Sequence, residues 1–203
     1  MWPYLVRVPK IIGDSLAEHR AETRRRLLSA FGDLLTERGY DAVRLADVAT
    51  RADIGRTAIY NHFADKEAVL LAFAMDETQR YVDAIREALA EVDGPVERLQ
   101  TYVRMHVALS REMHMGLGPQ LYSLLSRDAL LHMREHVVVV ETLLRDVLED
   151  GMKQGAFAVD DLRATTALVL ACLQSRQVTH PEAADRDTAV AVTERFVLRA
   201  VGA

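Results

Sequence analysis

Between Leu45 and Phe63 two short apolar faces are separated by a four-residue break, Ala52-Asp53-Ile54-Gly55, and that spacing demands two short helices joined by a tight turn. Leu45, Val48 and Ala49 share one face of the first, and Ile59 and Phe63, four apart, anchor the second. Two short helices meeting steeply across a tight turn make a helix-turn-helix. The second leaves Arg56, Thr57, Tyr60, Asn61 and His62 around the rest of its surface. In such a unit the second helix enters the major groove with its N-terminal residues toward the base edges, while flanking groups hold phosphates.

The exposed set has the chemistry for that role. Arg56 can pair with a guanine edge and Asn61 with an adenine, while Tyr60, His62 and Lys66 can donate to phosphate oxygens. Gly55 allows close backbone approach. An ordinary helical hairpin with a solvated polar face would show the same local pattern, so the surrounding chain has to decide between them.

Residues 15–71 resemble the DNA-binding domain of the TetR family of bacterial transcriptional repressors. The resemblance is carried by RRRLLSAFGDLLTERGYDAVRLADVATRA followed without a gap by DIGRTAIYNHFADKEAVL, and most specifically by Tyr60-Asn61-His62-Phe63 ahead of Asp65-Lys66-Glu67. It implies an all-α protein in which a three-helix N-terminal DNA-binding domain is joined by a fourth helix to a larger helical ligand-binding and dimerisation domain. Carried over by position, the DNA-facing set is Arg44, Arg56, Thr57, Ala58, Tyr60, Asn61, His62 and Lys66. The sequence departs from the family's habit at Asp53 (commonly Gly), Gly55 (commonly Ser) and Thr57-Ala58 (commonly Gly-Thr). Asp tolerates a left-handed turn, but Ala58 has no hydroxyl to offer a phosphate, and Thr57 is the available substitute.

The chain is expected to divide into an N-terminal arm at 1–14, a helix-turn-helix domain at 15–64 and a helical effector and dimer domain at 65–203. Half of its 203 residues are hydrophobic and 27% are charged, with no uncharged apolar run long enough to span a bilayer. Arg7 and Lys10 interrupt the first dozen residues, which lack a sustained apolar stretch or a cleavage site of small residues, so a cytoplasmic location is expected. Charge is uneven. Residues 1–66 hold 11 Lys+Arg against 9 Asp+Glu, whereas residues 67–203 hold 14 against 21, which suits local DNA docking better than general polyanion binding.

Punctuation places the helices. Ser15-Leu16-Ala17-Glu18 has capping-box spacing and opens a long first helix that ends at Gly39-Tyr40. His19, Arg20, Arg24, Arg25 and Arg26 cluster near its start, either as a basic edge touching DNA backbone or as a solvated face pairing with Glu18 and Glu22. A helix from about Lys66 ends at Asp93-Gly94-Pro95, and another runs from Pro95 to about Ser110. Gly116-Leu117-Gly118-Pro119 must bend the chain before a short segment from Leu121 to Ser126. Further helices are expected from about Asp128 to Lys153, from Leu162 to Thr179 and from Glu182 to Val201.

The last two carry wide apolar stripes, Leu162, Thr166, Val169 and Leu173 on one and Val190, Val197, Leu198 and Val201 on the other. They resemble the pair through which the family dimerises, giving a four-helix interface; the alternative is that both stripes only close the monomer core. A homodimer reads an operator of two inverted half-sites. For the effector, Tyr102, Met105, His106, Met113, His114, Met115, Tyr122, His132, Met133 and His136 form the candidate lining of an apolar pocket for a small hydrophobic molecule, although methionines at helical spacing also serve as ordinary core. His132 and His136, four apart, could form half a metal site with His106 or His114, but no carboxylate shell accompanies them. Cys172 reads as a small buried thiol.

There is no nucleophile elbow, no phosphate-binding glycine loop and no strand pattern, so an enzyme is not expected, nor is a cofactor. The expectation is a repressor that binds double-stranded DNA as a homodimer and is released by a small molecule. The alternatives are a metal-responsive regulator and an architectural or partner-controlled DNA-binding protein without an effector.

Overall fold

The computed structural model describes residues 15–112, 125–179 and 186–203; within those spans the side chains of residues 110–112, 133, 135–137, 175–179 and 186 are not described. Among the described residues all regular structure is helical. The elements are α1 (Leu16–Arg38), α2 (Leu45–Arg51), a 3₁₀ turn (Ala58–Asn61), α3 (Lys66–Ala90), α4 (Pro95–Glu112), α5 (Arg127–Lys153), α6 (Leu162–Thr179) and α7 (Arg186–Ala200). The expected bend at Gly116–Pro119 and most of the 121–126 segment lie outside the described residues. No helix among the described residues is long and apolar enough to cross a membrane.

The chain forms two compact units, Met1–Phe73 and Ala74–Ala203. The smaller unit is organised by α1, whose N-cap Ser15 accepts a hydrogen bond from the Glu18 amide at 3.2 Å, satisfying one of the free donors of the first turn. Leu27, Phe31, Leu34 and Leu35 form its buried face. Buried in the same unit are Val48 and Ala49 of α2, Ile59 and Phe63, and Val69, Leu70 and Phe73 in the opening turns of α3. Phe31 and Phe73 meet edge to face with ring centroids 5.5 Å apart. Helix α3 thus begins inside the smaller unit: Asp65 caps it by accepting from the Ala68 amide at 2.8 Å, and its first residues contribute to that core.

In the larger unit α4 packs against α5, α6 and α7, and α5 and α7 also pack against α6. Its core comprises Tyr81, Val82, Ile85 and Leu89 of α3 together with Leu99, Tyr102 and Val103 of α4, Leu144 and Leu148 of α5, Val169 and Leu173 of α6, and Val197 and Val201 near the C-terminus. The end of α5 folds back on itself. The amides of Ala156 and Phe157 both donate to the Gly151 carbonyl, while Gly155 takes the positive φ of 72° needed to leave the helix.

Candidate nucleic-acid interface

The interface is built on the break between α2 and the 3₁₀ turn. Asp53 adopts φ 53°, a left-handed conformation that Asp tolerates better than branched residues. The Arg26 guanidinium, reaching from α1, donates to the Ala52 carbonyl, lies 3.4 Å from that of Asp53, and has a nitrogen 3.6 Å from the exposed Asp53 carboxylate. A cation thus satisfies carbonyls at the end of α2, where the helix dipole favours positive charge.

The second element of the motif is shorter than its spacing suggests. Ala58–Asn61 is a single 3₁₀ turn rather than an α-helix, with Ala58 donating to Gly55, Tyr60 to Thr57 and His62 to Ile59. Asp65, the cap of α3, follows Gly55 so closely that the turn and the entry to the next helix must share a short stretch of chain. Ile59 and Phe63 nevertheless remain buried as anchors. Their burial leaves Arg56, Thr57, Tyr60 and Asn61 exposed and Ala58 and His62 half-buried, and Arg44 is exposed at the N-cap of α2. Tyr60 is 59% exposed, too much for a tyrosine serving only the core.

The basic cluster at the start of α1 lies beside the turn. Arg20, Arg24 and His19 of α1 approach His62 closely enough that, after burial, their positive charge is the main influence holding its imidazole below the ordinary range. Arg24 also lies over the Phe63 ring, 4.9 Å from the centroid. The basic start of α1 and the end of the 3₁₀ turn therefore form one positively charged edge that includes Arg20 and Arg24. By contrast, Arg51 and Arg38 face carboxylates: Arg51 makes a two-pronged pair with Glu37 at 2.8 and 2.9 Å, and Arg38 lies 3.8 Å from Asp47.

Lys66 has a second role that its place in the motif did not reveal. Its ammonium donates to the Tyr40 carbonyl at 3.0 Å and sits 4.1 Å from the centre of the Tyr40 ring, pinning the loop after α1 to the start of α3. Asp53→Gly should leave stability within about 1 kcal/mol, because relief of the left-handed backbone opposes loss of a solvated ion pair. Losing a negative charge from the turn that leads into Arg56 should tighten DNA binding severalfold at low salt, a gain that shrinks as salt rises; fluorescence anisotropy at two salt concentrations checks this.

In the larger unit, Tyr102 and His106 are buried together and Met105 packs against the core, whereas His132 is exposed and its Nδ1 donates to the Asp128 carbonyl at 2.9 Å. Met113, His114, Met115 and Tyr122 lie outside the described residues, as do the side chains of Met133 and His136. Among the described residues no three His, Cys, Asp or Glu side chains converge as a metal site. Of the residues expected at a dimer interface, Thr166, Val169, Leu173, Val197 and Val201 are enclosed within the single chain, and Leu162 and Leu198 pack against the same core. Val190 is half-buried. A stripe wide enough for two contacts has an inner and an outer half, and periodicity alone does not say which half faces a partner. The outer halves carry Leu168, Val192 and Phe196, all exposed in the single chain.

Residues 27–73 match the family model of bacterial regulatory proteins of the tetR family, and residues 95–198 match the tetracycline repressor-like C-terminal domain. The transcriptional activator FasR of Mycolicibacterium smegmatis is 31% identical over 84 residues, 41% of this chain and 38% of FasR, so the chain spans well under half the length of this curated relative. Among solved structures, the fatty acid degradation regulator FadR of Bacillus halodurans is 22% identical with a TM-score of 0.75, covering 87% of this chain and 94% of that one. The TetR family regulator PfmR of Thermus thermophilus is 27% identical with a TM-score of 0.70, covering 86% and 97%. With both halves matched in order and the helix-turn-helix built as described, the chain belongs to the TetR family of bacterial transcriptional regulators.

Proposed function

We propose that this protein is a homodimeric regulator that occupies an inverted-repeat operator through the 3₁₀ turn of each protomer, blocks transcription there, and leaves when a small apolar effector enters the larger unit. The observation that carries the reading is the pairing of buried Ile59 and Phe63 with exposed Arg56, Thr57, Tyr60 and Asn61, which presents readers of base edges from a rigid support. Arg20, Arg24, Tyr60 and Arg44 would hold phosphates around it. FasR is named an activator; the same DNA contacts serve either outcome, and the position of the operator relative to a promoter decides between them.

Release requires an effector that prefers the protomer spacing unable to reach both half-sites, and a preference of about 2–3 kcal/mol changes affinity by tens to a hundredfold. Helix α3, continuous from Lys66 to Ala90, carries residues of both units and is the proposed link.

Selection of bound sequences from a randomised DNA pool tests the reading. An inverted repeat with half-sites about one or more helical turns apart is expected, and absence of enrichment would sink the proposal. Arg56→Ala should cost about 1–3 kcal/mol and relax preference at one base position, whereas Tyr60→Phe should weaken all sequences alike. Unchanged binding in both would place the contact surface elsewhere.

The proposed dimer joins the outer faces of α6 and α7, around Leu168, Val192 and Phe196. Large apolar side chains exposed on adjacent helices are costly to leave in water and are what an isologous interface buries at its centre. Phe196→Glu combined with Leu168→Glu should convert the dimer to a folded monomer in sedimentation velocity; a variant that stays dimeric would move the interface off this face.

A further inference from the structure

The larger unit encloses a polar cluster that its own fold does not complete. Tyr81 of α3 and Tyr102 and His106 of α4 are buried together, His106 at 3% exposure. The Tyr81 hydroxyl lies 2.6 Å from His106 Nδ1 and 3.4 Å from the Tyr102 hydroxyl. The imidazole stands edge-on to the Tyr81 ring, with centroids 5.7 Å apart, and stacks on that of Tyr102 at 6.1 Å. Among the described residues, His106 Nε2 is buried without a hydrogen-bond partner.

The protons can be assigned by chemistry. Burial keeps the imidazole neutral, with its pKa pushed down to about 4, so one ring nitrogen donates and the other accepts. A phenol is a stronger acid than a neutral imidazole N–H, and the bare imidazole nitrogen is a better acceptor than a phenol oxygen. Tyr81 has one proton, and the 2.6 Å contact with Nδ1 claims it, because the 3.4 Å separation from the Tyr102 hydroxyl is too long to compete. The ring proton therefore sits on Nε2, a donor with nothing to meet. An unsatisfied buried donor costs about 1–3 kcal/mol. A trapped water would need further polar partners of its own, and the buried polar groups of this unit already have partners: Thr78, Thr166 and Thr193 donate to carbonyls of their own helices, Thr101 accepts from Arg104, and Glu77 pairs with Arg80.

We propose that His106 Nε2–H is the polar anchor of the effector site, and that the effector is a small, apolar, uncharged compound whose carbonyl oxygen accepts this hydrogen bond. This rests on the reading of the larger unit as an effector domain. A carboxylate fits less well, because one neutral donor does not offset the burial of a full negative charge. A hydrocarbon fits less well because it leaves the donor orphaned. Tyr81 is a positioning residue that holds the tautomer.

Nitrogen-15 NMR of the full-length protein labelled in its histidines, titrated with acetophenone, isopropenylbenzene and benzoate, tests the proposal. These three probes have similar shapes and carry a carbonyl, no acceptor and a charge, respectively. The expected result is a protonated Nε2 whose resonance moves with acetophenone, and acetophenone binding about tenfold tighter than either other probe. That preference should vanish in His106→Phe and shrink in Tyr81→Phe, which keeps the ring packing should the histidine variant fail to fold. A proton found on Nδ1, millimolar acetophenone that leaves the His106 signals unmoved, equal binding of acetophenone and isopropenylbenzene, or a preference that survives both substitutions would each overturn it. None of these readouts involves DNA, so failure of the regulator reading would show separately, as absence of an enriched operator.

Discussion

Gly151→Ala is expected to destabilise the larger helical unit by about 2–4 kcal/mol, although the same change in an exposed helix would add roughly 1 kcal/mol of stability through propensity. A Cβ at this position would fall 2.1 Å from both Cδ2 and Cε2 of Phe157 and 2.9 Å from Cγ, well inside any tolerable contact. One of the two must move. The ring has little freedom to do so, because Phe157 is buried in the core and its amide and that of Ala156 both hold the Gly151 carbonyl. The next residue is tied as well, the Ala158 amide donating to Val201 at 2.8 Å. Displacing the ring forfeits much of its burial, on the scale of a buried Phe truncation, and that term exceeds the helix gain. Chemical denaturation followed by circular dichroism measures the loss. Phe157→Leu should be damaging alone but partly compensating with Gly151→Ala, because the flat ring responsible for the clash is gone; a Gly151→Ala variant as stable as the parent would show that the turn has another packing available.

What could be read from the residues follows how local the cause is. Ser15 caps α1, Lys153 ends α5, and Leu162–Thr179 bounds a helix as expected, because caps, glycines and prolines act within a turn of their own position. The exposure of Arg56, Thr57, Tyr60 and Asn61 was legible because Ile59 and Phe63 mark the buried side of a very short element, which leaves the other residues outside. Its 3₁₀ geometry was less so, since so few residues do not distinguish about three per turn from about 3.6. Lys66 shows the limit for side chains: its motif position suggests a phosphate, but whether its ammonium also caps the Tyr40 carbonyl depends on a partner 26 residues earlier. Tyr81 stood out in no pattern, since its partners Tyr102 and His106 lie 21 and 25 residues away on another helix. The outer faces of α6 and α7 were hidden for a related reason. Alanines share the faces of Leu168 and Phe196, so the periodic signal came from the inner Val169, Leu173 and Val197.

Acid should weaken the protein in a window set by His106. Its folded pKa, about 4, lies below the ordinary 6.5 because the buried imidazole gives up water without gaining a carboxylate. Above about pH 6.5 the ring is neutral whether the chain is folded or not, and it contributes no pH dependence. As the pH falls from about 6.5 toward 4 the unfolded chain takes up a proton that the folded one refuses, so the unfolded state binds more protons and stability is lost. The full loss approaches about 3 kcal/mol by about pH 4, and about 2 kcal/mol is gone by about pH 5. His62, also held below its ordinary range by burial and by Arg20 and Arg24, adds to the slope in the same direction, whereas Glu37, held low by Arg51, resists protonation until lower pH. Comparison with a variant separates these contributions. Urea denaturation at about pH 7, 6 and 5 should show a steep fall for the parent, and a distinctly shallower one for His106→Phe, which keeps the other titrating groups. Parallel slopes would mean that the imidazole is already solvated in the folded protein. The same ring connects this prediction with the effector site: a carbonyl compound accepting from Nε2–H should make the acid sensitivity shallower, because the imidazolium N–H is a stronger donor than the neutral one and the bound acceptor therefore favours the charged ring.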